Sequence, residues 1–329
     1  MTPPAPDTMP AILQDAYGTT DTWHVGQIDV PEIKGNEVLV RVVAAGLDRG
    51  TWHLMTGLPY LGRLAFGIRK PKNPVPGRDL AGTIVAIGSS VTRFTVGDAV
   101  FGIGRGSFAQ VAVAREDKLA RTPTNLTFEQ AAVVPISGLT ALHAIRDAGH
   151  VEAGTKVMIV GASGGVGSYA VQIAKSIGAD VTGVCSTAKT DLVRSLGADH
   201  VIDYTQVDFA AGTQRYDVIV DIGGSSRLSR LRRALTPKGT LVIVGGEGGG
   251  KLTGMGRQLR AVALSPFVPQ HLTMLLPKEH YVDLEKLTEL IEAGTVTPSI
   301  GLTYPLGQAA DAMRQLVAGK VNGKVAITI

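Results

Sequence analysis

Residues 37–43 read Glu-Val-Leu-Val-Arg-Val-Val, which sets apolar side chains at alternate positions and predicts a half-buried strand. Apolar runs at 81–87, behind a Pro-Gly turn, and at 98–101, behind Val96-Gly97, predict further short strands between glycine turns. The whole stretch 22–122 therefore reads as a compact, barrel-like β domain. From Thr127 the period changes. Helices are expected at 128–134 and 138–147, then a strand at 156–160, a helix at 167–177, a strand at 180–185, a helix at 190–196, and strands at 200–203, 218–221 and 240–244. Strands alternating with helices predict a parallel, doubly wound sheet, so the fold class is α/β with a β-rich first domain. After Gly250 the pattern is mixed, with helices at 255–264, 284–293 and 307–318 and a last strand at 324–329.

The transition from strand to helix at 156–175 carries the first chemical signal. Lys156-Val157-Met158-Ile159-Val160 leads through Gly161-Ala162-Ser163-Gly164-Gly165-Val166-Gly167 into Ser168-Tyr169-Ala170-Val171. In register with G-x-G-x-x-G the three positions are Ala162, Gly164 and Gly167. Gly164 permits close approach of a pyrophosphate to the backbone, and Gly167 permits close packing of helix on strand. The helix that starts here offers unpaired N–H groups and the positive end of its dipole to the diphosphate, with Gly165 and Val166 in the same turn. Gly161, Ser163 and Gly165 also spell G-x-S-x-G, the nucleophile elbow of serine hydrolases. That reading needs an acid and a histidine later in the chain, and Asp221 pairs only arbitrarily with His271 or His280, so it is disfavoured.

The next strand separates the two dinucleotides. An NAD site ends this strand with an acid for the ribose hydroxyls, whereas Val184-Cys185-Ser186-Thr187-Ala188-Lys189 has none. Ser186 and Thr187 can hydrogen-bond a 2′-phosphate and Lys189 can neutralise it, which predicts NADPH.

Composition narrows the function classes. A length of 329 residues exceeds what one core usually supports, and two domains are expected. The net charge of +4 is small and, apart from Arg227, Arg230, Arg232 and Arg233 on an expected helix at 226–235, the basic residues are scattered, so no nucleic-acid partner is expected. The single cysteine, Cys185, allows no intramolecular disulfide and suggests a reducing, cytoplasmic location. The proline-rich start lacks the marks of a signal peptide and no apolar run is long enough to span a bilayer, so no membrane partner is expected.

Taken with Val38-Leu39-Val40 leading to Ala44-Ala45-Gly46-Leu47-Asp48, Pro76-Gly77-Arg78-Asp79-Leu80-Ala81-Gly82, Val96-Gly97-Asp98-Ala99-Val100, Ser195-Leu196-Gly197-Ala198-Asp199 and Val201-Ile202-Asp203-Tyr204, the chain resembles the medium-chain dehydrogenase/reductase superfamily. The likeness runs over nearly the whole length and is to the zinc-free quinone oxidoreductase branch. It implies a GroES-like catalytic domain at 1–125, a Rossmann NADPH-binding domain at 126–263, a return to the catalytic domain at 264–329, and a homodimer. It implies that Tyr204 lies beside the adenosine phosphate, that Gly245-Gly246 flanks the nicotinamide, and that Asn322 and Lys324 close over the cofactor. Zinc-dependent relatives hold catalytic zinc where this chain has Asp48 and Arg78. A guanidinium cannot ligate zinc and would repel it, and Asp48 with His53 is too few ligands, so no metal is expected.

The implied reaction passes a hydride from NADPH to a quinone or an α,β-unsaturated carbonyl compound, whose anions are delocalised and need no metal. Asp48 and His53 are the candidates for orientation and proton delivery, with Tyr60 a further proton donor. Trp52, Met55, Leu58, Phe66, Leu139 and Phe267 are candidates for an apolar wall. The alternatives are a zinc-free reductase of acyl-thioester or aldehyde substrates, or a slow NADPH-binding protein with a sensing or structural role.

Overall fold

In the computed structural model, residues 8–246, 250, 252–276 and 278–329 are described, and the proline-rich start at 1–7 lies outside them. The chain forms two compact units. One comprises the chain up to Ile136 with Glu279–Glu292 and Ile300–Ile329, and the other Ser137–Lys278 with Ala293–Ser299.

The first unit is built on a seven-stranded sheet. Its strands are β3 (Glu37–Leu47), β4 (Asp79–Ile87), β5 (Ala99–Ile103), β6 (Val111–Arg115), β7 (Leu119–Arg121), β14 (Ile300–Pro305) and β15 (Lys324–Thr328), in the order β14-β15-β3-β4-β5-β7 with β6 also on β3. Two earlier strands, β1 (Thr8–Gln14) and β2 (Trp23–Asp29), form an antiparallel ribbon. The alternation read at 37–43 is real: Val38, Val40 and Val42 enter a core with Leu80, Ile84, Val100 and Phe108 while Arg41 faces out. The tail joins this unit through β15, which pairs antiparallel with β3 from Val325 opposite Leu47 to Thr328 opposite Ala44.

The second unit is a six-stranded parallel sheet of β8 (Lys156–Val160), β9 (Asp180–Cys185), β10 (His200–Asp203), β11 (Tyr216–Asp221), β12 (Leu235–Ile243) and β13 (His271–Met274). Their order, β10-β9-β8-β11-β12-β13, is the doubly wound order that reverses direction between β8 and β11. Val157, Met158 and Ile159 of β8 are fully buried, as are Tyr169, Ala170 and Val171 on the helix Gly165–Ser176 that follows. A continuous apolar run on the strand and an apolar stripe on the helix thus bury each other.

Local differences from the sequence reading have local causes. Helix 138–147 is in fact Pro135–Leu142 followed by a π-type turn at His143–Ala148. The Pro-punctuated region past 263 contains β13, so the α/β unit extends beyond the division expected there. The arginine-rich helix is Leu228–Ala234, where Arg230 pairs with Asp208 at 2.7 Å and Arg232 donates to Gln270 at 2.8 Å.

Candidate active site

At the end of β8 the backbone turns through Gly161, whose φ of +90° suits glycine. The N–H groups of Gly161 and Ala162 both donate to Val184 O of β9, at 3.0 and 3.1 Å, which locks the turn to the sheet. Gly164 is the N-cap of the helix Gly165–Ser176 and supplies no side-chain cap, so Gly165, Val166 and Gly167 form its first turn without one. Gly164 and Gly167 differ in what surrounds them. A methyl at Gly167 would stand 2.1 Å from Gly161 O and 2.7 Å from Ala162 Cα, whereas one at Gly164 would meet only Gly161 O, at 3.4 Å. Gly167 is thus required by packing. Gly164 keeps open a space at a helix N-terminus, which fits the diphosphate of a nicotinamide dinucleotide. Ser163 is buried and bonds no histidine among the described residues, which leaves the hydrolase reading without a triad.

Adjacent parallel strands build the neighbouring corner. Asp203 on β10 stands opposite Cys185 on β9, and Tyr204 N–H donates to Cys185 O at 3.0 Å. The chain thereby brings the exposed Tyr204 to the end of β9, where Ser186 opens a turn that Lys189 N–H closes on Ser186 O at 2.9 Å. Lys189 is half-buried, and burial lowers its ammonium pKa, opposed by the charge of Cys185. An acid that the β9 sequence lacks arrives from β10. The Thr187 hydroxyl donates to Asp203 at 2.5 Å, and Thr205 binds the same carboxylate through its N–H at 2.9 Å and its hydroxyl at 2.7 Å. These hydrogen bonds hold the Asp203 carboxyl below its ordinary value. Thr187 spends its proton on Asp203, so the candidate donors to an anion here are Ser186, Lys189 and Tyr204.

A third element escaped the sequence reading. Asp221, at the end of β11, is fully buried and bound by Arg257 of the helix Gly256–Leu264. The same guanidinium donates to Ser226 O and to Gly245 O, each at 3.0 Å, while Gly245 N–H donates to Asp221 O at 3.1 Å. Burial raises the Asp221 carboxyl pKa, and Arg257 opposes the shift. The Gly245-Gly246 turn is therefore held at the ends of β11 and β12 by one buried ion pair. No motif signals this, because Arg257 sits on an ordinary amphipathic helix.

In the β-rich unit, Asp48 caps the helix Arg49–Thr56. Its Oδ1 accepts from Thr51 N–H at 2.8 Å and Thr51 Oγ1 at 3.1 Å, and its Oδ2 is buried without a hydrogen bond. His53 lies on that helix with Nδ1 2.7 Å from Leu58 O. A carbonyl accepts only, so Nδ1 carries the proton and Nε2 is the free ring nitrogen. Tyr60 is exposed, with the Arg63 guanidinium 4.8 Å from its ring centre. Arg78 binds Glu279 at 2.6 Å, and Lys118 binds the same carboxylate at 2.7 Å. Of the expected wall, Met55 and Leu139 are core residues of separate units, and Phe267 is 83% exposed.

Lys324 belongs to the β-rich unit. It is buried on β15 with Nζ 3.6 Å from Asp79, whose side chain is also fully buried, so its charge faces that carboxylate; Asn322 is exposed. Asp79 Oδ1 accepts from Ile136 N–H at 3.0 Å and its Oδ2 has no hydrogen bond. Burial pushes the Asp79 carboxyl from 3.8 up to about 7, against the pull of Lys324 and with a further push from Asp48. A folded-state value above the unfolded one means that the contribution of Asp79 to stability is full below the unfolded value and is lost as pH rises through about 7. Asp79→Asn mimics the protonated form. Its stability should match the native chain near pH 3 and exceed it by on the order of 4 kcal/mol above pH 8, since the rise from 3.8 to about 7 spans about three tenfold changes in proton affinity on folding, each worth roughly 1.4 kcal/mol. Denaturant melts across that range check this, and parallel pH curves for the two proteins would refute it.

Arg78 is a cation engaged with Glu279, Asp48 gives one oxygen to a helix cap, and no group of three His, Cys, Asp or Glu among the described residues could hold a metal ion.

Comparison with known proteins agrees with this geometry. Residues 34–124 match the alcohol dehydrogenase GroES-like domain, and residues 196–327 match the zinc-binding dehydrogenase family. The chain is 32% identical to the chloroplast envelope quinone oxidoreductase homolog of Arabidopsis thaliana, over 97% of this chain and 98% of that protein. It is 33% identical to an Arabidopsis thaliana NADPH-dependent alkenal/one oxidoreductase, over 98% of this chain and 80% of that one. The solved quinone oxidoreductase of Coxiella burnetii superposes with a TM-score of 0.88 at 26% identity, covering 98% of this chain and 99% of that one. A GroES-like β unit, a doubly wound parallel sheet with a glycine turn, and full-length likeness together establish that the chain belongs to the medium-chain dehydrogenase/reductase superfamily, in its quinone-oxidoreductase-like branch.

Proposed function

We propose that the chain is a zinc-independent reductase that uses NADPH to reduce quinones or α,β-unsaturated carbonyl compounds. The observation that carries this is the corner made by Ser186, Lys189 and Tyr204 at the ends of β9 and β10, beside the open helix N-terminus at Gly164. The N–H groups of Gly165, Val166 and Gly167 would hold a pyrophosphate, and the ammonium of Lys189 with the hydroxyls of Ser186 and Tyr204 would hold a 2′-phosphate. When bound, the reduced nicotinamide supplies a hydride.

The residues of the β-rich unit handle the other half of the reaction. A quinone or enone that gains a hydride becomes a delocalised oxyanion, which one proton completes as hydroquinone or saturated ketone. His53 has its ring fixed by Leu58 O and its Nε2 free, so it can carry that proton, with the Tyr60 phenol a second donor. Asp48 caps the helix that carries His53 and so orients its start. The names of the relatives support the substrate class, since quinone and alkenal/one oxidoreductases match over nearly the whole chain. A homodimer is the proposed assembly, and the buried, unpaired Cys185 fits a reducing, cytoplasmic location.

Lys189→Ala tests the cofactor assignment. It should raise the KM for NADPH at least tenfold and leave that for NADH within about twofold, since a charge-assisted phosphate contact is worth roughly 1.5–3 kcal/mol. Equal loss for both dinucleotides would refute the phosphate role.

A further inference from the structure

The segment between the helix Arg49–Thr56 and β4 combines basic residues with exposed apolar ones. From Arg49 to Arg78 there are six basic residues, Arg49, Arg63, Arg69, Lys70, Lys72 and Arg78, and no Asp or Glu. Within it, Leu61, Leu64 and Ile68 are 53%, 67% and 69% exposed, and Tyr60 and Phe66 are exposed beside them. Arg69 and Lys70 are exposed and make no ion pair with any described carboxylate. Lys72 is also exposed, but Asp29 and Glu32 line the same hollow and offset its charge.

This projection is held in one shape. Tyr17 Oη donates to Gly67 O at 2.6 Å, Lys72 N–H donates to Phe66 O at 2.7 Å, and Arg63 Nε donates to Gly57 O at 2.9 Å. The Arg63 guanidinium lies over the rings of both Tyr17 and Tyr60, at 4.4 and 4.8 Å. Arg63 is thus a structural brace. Large apolar side chains braced outward beside cations with no acid among them are the pattern of a surface that inserts its apolar tips below a layer of negative headgroups.

We propose that residues 61–72 dock the protein on an anionic lipid bilayer, with Leu61, Leu64 and Ile68 entering the interface and Arg69 and Lys70 meeting the headgroups. A nucleic acid would use the cations and leave the apolar tips without a role. A second copy on the same face would set Arg69 and Lys70 against their own like charges. The sequence expectation of no membrane partner rested on the lack of signal-peptide marks and of a spanning segment. No helix among the described residues is long and apolar enough to cross a membrane, and peripheral docking needs none. The proposal is independent of the reaction.

Co-sedimentation of the full chain with phosphatidylcholine vesicles, with and without phosphatidylglycerol, tests it. Binding is expected only with phosphatidylglycerol and should weaken with salt. The double variant Leu64→Asp with Ile68→Asp, and separately Arg69→Glu with Lys70→Glu, should each lower partitioning at least twentyfold, at about fivefold per charge near the surface. Both variants should keep the native unfolding midpoint, because all four side chains are exposed. No sedimentation with anionic vesicles, or undiminished sedimentation of the Leu64/Ile68 variant, would overturn the proposal. So would a dimer in sedimentation velocity that Leu64→Asp with Ile68→Asp dissociates, or tight duplex-DNA binding that this variant leaves unchanged.

Discussion

Gly164→Ala should weaken dinucleotide binding about tenfold to a hundredfold while costing less than about 1 kcal/mol of stability. The second half follows from local geometry. Gly164 has a φ of −83°, open to any residue, and an added methyl meets only Gly161 O at an ordinary 3.4 Å. Exchange of glycine for alanine at an N-cap costs roughly a kcal/mol or less. The first half follows from the use of that space. A methyl in the path of the pyrophosphate pushes it off the helix N–H groups, and overpacking of this kind costs about 1–3 kcal/mol, a tenfold change per 1.4. Gly167→Ala is the matched control, since its methyl would stand 2.1 Å from a backbone oxygen. It should destabilise the α/β unit itself. Fluorescence titration with NADPH and denaturant melts on both variants check the pair, and full-strength binding by Gly164→Ala would show that the dinucleotide does not use this cradle.

Arg257→Leu should destabilise the α/β unit by about 3–5 kcal/mol, the usual cost of leaving one member of a buried ion pair without its partner. Asp221 is fully buried and Arg257 only 11% exposed, so solvent screens the pair little. Three interactions go together: the carboxylate of Asp221, the carbonyl of Ser226 and the carbonyl of Gly245. Loss of the last should also loosen the Gly245-Gly246 turn, so kcat is expected to fall along with stability. Adding Asp221→Asn should restore a large part of the stability, because it removes the uncompensated charge. Chemical denaturation measures both. A loss under about 1 kcal/mol for Arg257→Leu would mean that the pair does not hold the ends of β11 and β12.

What the sequence made legible was local. The strand, glycine turn and helix at 156–175 are contiguous, and their apolar periodicity survives intact as β8 and the helix Gly165–Ser176. The missing acid after β9 could be read for the same reason. The acid that does reach that corner, Asp203, comes from the neighbouring strand, and only the parallel pairing of β9 with β10 reveals that it takes the proton of Thr187. Strand β13 was not legible because four residues, His-Leu-Thr-Met, between prolines carry too little pattern to mark a strand. Lys324 illustrates a residue-by-residue transfer from a resemblance. Family position implies a place at the cofactor, and the antiparallel pairing of β15 on β3 adds a partner that no motif signals, Asp79 on β4. Arg257 and Asp79 share one cause of invisibility, since each is defined by a partner distant in the chain.

The central claim is hydride transfer from NADPH to an electron-poor acceptor without a metal, and turnover of the purified chain tests it most directly. NADPH consumption is followed with a quinone and with an enone, in parallel with NADH and in the presence of a chelator. The predicted result is turnover of at least one acceptor with NADPH, kcat/KM at least tenfold lower with NADH, and no effect of the chelator. A preference for NADH, loss of activity to the chelator, or no turnover of either acceptor would contradict it.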